Sequence, residues 1–208
     1  MYCYHIEMKN PTPPQHEGKQ LDLQAKAQLD DENQSKEFYN EVKKRLLNAC
    51  EWYHIAKIPA ATFLLTDQKG HGLLREMREN DLIRIDIPGP GISSGDGYDW
   101  VKVDKITEEN MGEKDLCSIT LRPTSNPEEE DEEIAHFFTS MATSTLSVKR
   151  QGLTIIAEYH GRNELINSDA TKLTDKIRNV VVGLAAKLGL SFSQWKSLIE
   201  GLVDKKTI

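Results

Sequence analysis

The sequence predicts an α+β fold: a small antiparallel β-meander or partly open barrel, preceded by one helix and followed by a two-helix hairpin. Three observations carry that expectation. Apolar and polar residues alternate over 83–87, 100–103, 117–122 and 153–160, the period of strands with one buried face. Phe38, Val42, Leu46, Ala49 and Tyr53 recur at helical spacing. Leu173, Ile177, Val180, Val181, Leu184 and Leu188 make a second helical stripe. Trp195, Leu198, Ile199 and Leu202 make a third, with Gly189 as the stop between them.

The totals set the outer limits. A chain of 208 residues can bury a core without disulfides or a metal. Its formal net charge of −7 argues against a general nucleic-acid binder, because affinity for phosphate comes from Lys and Arg. The same charge suits an anionic membrane surface poorly, and no apolar run reaches bilayer length. Three widely spaced cysteines, Cys3, Cys50 and Cys117, fit buried thiols in a reducing compartment better than a disulfide frame. Residues 1–7 have neither a basic nor an apolar leader region. The expectation is a cytoplasmic protein of bacterial type.

Taken in order, residues 1–33 read as a flexible arm and linker. Tyr2, Tyr4, Ile6 and Met8 alternate like a short strand, and the prolines at 11, 13 and 14 forbid regular structure. Residues 19–33 show weak helical spacing (Leu21, Ala25, Leu29), so a frayed helix or disorder is expected. The body spans 34–166. It opens with a helix over about 35–55, with Lys43, Lys44 and Arg45 on its outer side, and Pro59 ends that segment. A strand over 60–66 and a turn at Asp67–Gly70 lead into the β-block. Gly112 marks one turn and Gly152 a hairpin. The acidic run Asn126–Glu133 reads as the solvated start of a short helix, where carboxylates complement the macrodipole; a docking or cation site is the sharper alternative. Residues 167–208 form the helical hairpin. Ser191–Gln194 makes a capping box, and Leu190 with Trp195 its staple.

Two stretches invite a functional reading. The loop of residues 88–100 is rich in Gly, Pro, Ser and Asp, but a strand follows it. A phosphate cradle needs a helix there, and the Walker ending is absent. Asp96 and Asp99 lack the alternate ligand spacing of an EF-hand. What survives is an ordered strand-to-strand loop whose Asp96, Tyr98, Asp99 and Trp100 are placed to face a partner. The second stretch is Glu158 to Glu164. Glu158 and His160 share one strand face, Arg162 and Glu164 follow, and His136 is the nearest other histidine. An acid–base pair could be built from them. A polar strand end with Arg162 paired to a carboxylate is the plainer alternative.

The reading is therefore a non-catalytic binding or assembly module that uses the loop of residues 88–100, with a protein as partner and self-association left open. No cofactor and no metal are expected. Two alternatives remain: a hydrolase built on Glu158, His160 and His136, and a DNA-binding regulator that uses the C-terminal helix pair.

Overall fold

The computed structural model describes residues 9–56, 61–86, 98–128, 141–164 and 192–206. Seven strands form one antiparallel sheet: β1 (Lys19–Gln28), β2 (Thr62–Thr66), β3 (Leu82–Asp86), β4 (Asp99–Asn110), β5 (Lys114–Pro123), β6 (Thr143–Gln151) and β7 (Thr154–Glu164). Their order is β1-β7-β6-β5-β4-β3-β2. Strands β2 to β7 run as a meander, and β1 closes onto β7 at the far edge. The sheet is open, with β1 and β2 as its edges. The α+β class, and the alternation that predicts β3 to β7, hold in the structure.

Between β1 and β2 lie α1 (Glu32–Leu47), a 3₁₀ turn (Ala49–Glu51) and α2 (Trp52–Ala56). Asp31 caps α1, its carboxylate accepting from the Gln34 amide at 2.9 Å. One continuous helix to residue 55 is expected, but the chain breaks at Asn48 (φ −105°, ψ 83°). The break is stabilised by Trp52, whose buried indole N–H donates to the freed carbonyls of Arg45 and Leu46 at 3.1 and 3.2 Å. Arg45, expected on the outer side, is buried. It donates to the Leu202 and Asp204 carbonyls at the end of α3, the helix of residues 192–202.

Residues 19–28 are a strand, not a frayed helix. Leu21, Leu23, Ala25 and Ala27 turn inward and the residues between them are exposed. The arm before them is tied down as well. Asn163 sits at φ 55° at the end of β7, and its side chain accepts from the His16 and Glu17 amides (2.7 and 3.2 Å) and donates to the Pro14 carbonyl (3.1 Å). Farther back, the Lys9 amide donates to Glu109 on β4 at 3.3 Å. The first helix of the C-terminal hairpin, the acidic helix and residues 87–97 of the long loop lie outside the described residues.

One face of the sheet carries the helices. Phe63, Leu65, Ile83, Ile85, Val103, Cys117, Ile119, Leu121, Leu146, Val148, Ile155, Ala157 and Tyr159 pack there against Val42, Leu46, Trp52, Ile55, Trp195, Leu198 and Leu202. The Trp195 ring stacks on Tyr159 of β7 at 4.8 Å and meets Phe63 of β2 at 6.3 Å and Trp52 at 6.4 Å. A flat sheet would hold β2 and β7 about 24 Å apart, five strand spacings of ~4.8 Å. Both can touch one indole only because the sheet curls around it.

Helix α3 reaches this depth through Gly201, where an added Cβ would lie 2.1 Å from the Ile55 carbonyl oxygen. In an ordinary helix, Gly→Ala stabilises by about 1 kcal/mol. Here Gly201→Ala is expected to destabilise by about 1–3 kcal/mol in urea unfolding, because backbone must move. A stabilised variant would contradict this packing.

Candidate functional site

Alternation places Asp22 and Gln24 of β1, Glu158, His160 and Arg162 of β7, and Ser147 and Lys149 of β6 on the face away from the helices. The sequence reading put Glu158 and His160 on one face, and they are. The Glu158 carboxylate accepts from Lys149 Nζ (2.5 Å), Gln24 Nε2 (2.8 Å) and Ser147 Oγ (3.3 Å), with His160 Nε2 at 3.5 Å. The other nitrogen of His160 lies 2.5 Å from Asp22, which also takes Arg162 at 2.6 Å. The plainer expectation for Arg162, pairing with a carboxylate, is what occurs. His136 is outside the described residues.

This arrangement does not equip Glu158 for acid–base work. A general base needs an open lone pair and a pKa near the working pH. Burial works against the Glu158 carboxylate, but hydrogen bonds from His160 and Lys149 more than offset it and hold it well below the ordinary range. His160 is raised above its usual 6.5 by Glu158 first, and by Asp22. The cluster joins β1, β7 and β6. Glu164, close by in sequence, points to the opposite face. Its carboxylate lies 3.5 Å from the Tyr159 hydroxyl, which is 3.0 Å from Ser144 Oγ. Asn163, at positive φ, separates it from the strand's regular alternation.

The loop residues fare differently. Asp96 is outside the described residues. Tyr98 is half-buried, with the Arg84 guanidinium 4.4 Å above its ring. Asp99 is half-buried opposite Ile85. Trp100, expected to face a partner, is only 3% exposed, and its indole N–H has no acceptor. It is a packing residue.

Beside it opens a cleft of about 510 Å³. Its strand residues are Leu82 and Lys102, directly paired across β3 and β4. Gln68 and Asn80 come from the β2–β3 connection, and residues 124–127 from the chain after β5. The connection is held firmly. Asp81 takes Arg75 through two bonds (2.7 and 2.9 Å) and the Arg78 amide at 2.7 Å. Asn80, at φ 74°, donates its amide to Val103, and Val103 returns one to Asp81. On the other wall, the Thr124 amide donates to the Trp100 carbonyl at 3.0 Å. Lys102 is half-buried and makes no ion pair among the described residues. Sequence reasoning missed this cleft. Lys102 has the alternation of any strand lysine, and its neighbours come from three separate segments.

No protein-family model matches the chain, and no curated protein matches it. Among solved structures it is similar to a hypothetical protein from Helicobacter pylori: 9% identity, TM-score 0.48, 92% of this chain and 98% of that one covered. It is also similar to major latex-like protein 151 from Panax ginseng (14%, TM-score 0.43, 88% and 97% covered). A third is the Zhui aromatase/cyclase from Streptomyces sp. R1128 (11%, TM-score 0.38, 88% and 94% covered). All three TM-scores fall below 0.5, so no function transfers from them.

Among the described residues, no three His, Cys, Asp or Glu side chains converge on a metal position, and no helix is long and apolar enough to cross a membrane. Gln194 and Trp195, at the start of α3, are buried, so neither is free to reach a base edge.

The pKa directions around His160 set a pH dependence. Its folded-state value is raised, so its stabilising contribution is complete below about pH 6.5 and fades as pH rises through that higher value. Glu158 and Asp22 are lowered, and their contributions are lost as pH falls below their ordinary range. His160→Gln should therefore cost most near pH 6 and progressively less toward pH 9, measured by denaturant unfolding. A cost that grows with pH would contradict the network.

Proposed function

We propose that this chain is a non-catalytic binding protein whose recognition surface is the β3–β4 end of the outer sheet face, where the loop of residues 88–100 rejoins the sheet. One contrast supports this reading. In the Glu158–His160 cluster each charge has a partner of opposite sign at hydrogen-bond distance. In the cleft at the other end, Lys102 has none among the described residues. A half-buried cation without a counter-charge is a cost in the free protein that an incoming anion or acceptor relieves. Tyr98, fixed against Arg84, adds a flat apolar edge to the same surface, whereas Asp99, paired with Ile85, alternates to the helix-bearing face. A protein partner at the rim and self-association both remain compatible with this reading.

The hydrolase alternative has less behind it, because Glu158 is saturated with donors. The DNA-binding alternative has less too, because Gln194 and Trp195 in the first turn of α3 pack inward.

Lys102→Glu should change unfolding free energy by less than about 1 kcal/mol, because it exchanges one half-buried charge for another and breaks no ion pair among the described residues. It should also abolish the thermal stabilisation that small polar ligands confer on the wild-type chain in a scanning-fluorimetry screen. Trp100→Ala should instead lose about 3–5 kcal/mol, as a core truncation does. Ligands that stabilise the wild type and Lys102→Glu equally would move recognition away from this cleft.

A further inference from the structure

Resting on the binding reading above, we infer that the β3–β4 cleft takes a polyhydroxylated monocarboxylate, a ligand of the sugar-acid class. The charge comes first. Lys102 is the one cation among the described residues that line the cleft. Arg84 and Arg122 share its face but are engaged elsewhere, over the Tyr98 ring and on Asp104 at 3.1 Å. One ammonium matches one carboxylate. A phosphate site would call for an arginine fork or a helix N-terminus, and the lining has neither.

The remaining chemistry selects hydroxyls. Gln68 and Asn80 bring side-chain amides, and Thr124 and Ser125 bring hydroxyls. Amides and hydroxyls each both donate and accept, which is what a row of sugar hydroxyls requires. A fatty or aromatic acid would need a broad apolar wall, yet only Leu82 and Pro127 are apolar among the described lining residues. That strip suits the C–H face of a pyranose. A volume of about 510 Å³ accommodates a one- or two-ring ligand. The walls are set in advance: Asn80 is held at φ 74° by its bond to Val103, and Thr124 by its bond to Trp100. Binding therefore has little ordering cost to overcome.

The test is a ¹H–¹⁵N titration of the full chain with four probes: D-glucuronate, D-glucose, propionate and inorganic phosphate. D-Glucuronate is expected to shift the amides of Asn80, Leu82, Lys102, Thr124 and Ser125 saturably. D-Glucose lacks the charge and propionate lacks the hydroxyls, so each should bind at least about tenfold more weakly. Lys102→Gln should weaken D-glucuronate by about tenfold or more. Asn80→Gly keeps the positive φ and removes only the amide. It should weaken D-glucuronate and leave propionate unchanged. A trigalacturonate arm separates sources: tighter binding than D-galacturonate assigns the end of an acidic glycan, and equal binding assigns the free acid. Both outcomes support the class. D-Glucose or propionate matching D-glucuronate in the cleft, or phosphate exceeding it, overturns the class while the binding reading stands. Failure of every probe to shift the cleft amides overturns both.

Discussion

The fold depends on one indole. Trp195 is the point where β7, β2 and α2 meet, and it does so from a helix that comes last in the chain. Its contacts require strands five places apart to approach one ring, so curvature and helix docking are one event rather than two. The supporting contacts serve the same end. Gly201 lets α3 approach the Ile55 carbonyl, Ser197 Oγ donates to the Ala56 carbonyl at 2.6 Å, and Arg45 takes the carbonyls at the end of the helix. Buried aromatics of this size each contribute several kcal/mol, more than any surface ion pair described here.

The face away from the described helices also buries Leu82, Trp100, Leu116 and Ile156, and it carries both the Glu158–His160 cluster and the cleft. Its two ends differ in kind. At the β1–β7–β6 end, charges are matched, with Glu158 largely buried and Asp22 exposed, and the pairs tie the edge strand β1 to β7. At the β3–β4 end, Lys102 has no counter-charge among the described residues and lies between two loops that are themselves tightly bonded.

Much of this was readable from residue order, and the failures are instructive. Alternation located β3 to β7, because their apolar residues recur at a period of two even where both faces are buried, as over Asp115–Leu121 of β5. β1 was misread because Leu21, Ala25 and Leu29 are spaced by four, which satisfies a helix and a strand alike. Leu23 and Ala27 between them were the deciding residues. The break at Asn48 was invisible because Trp52 continues the apolar pattern while its indole caps the helix it would have extended. Glu158 and His160 were recognisable as a same-face pair. Their partners Asp22 and Lys149 lie on other strands, so only the register reveals that the pair is closed. Trp100 looked like an exposed loop aromatic because nothing in the sequence distinguishes a buried face-residue of β4 from a solvent-facing one.

The central claim is that one end of the outer face is closed and the other open. Competitive acetylation of the native chain, with site-resolved rates by mass spectrometry, tests it on two lysines of the same sheet face. Lys149, bound to Glu158, should be protected, and Lys102, without an ion pair among the described residues, should react at least about tenfold faster, because acetylation needs a free, deprotonated amine. Equal rates, or a faster Lys149, would contradict the account.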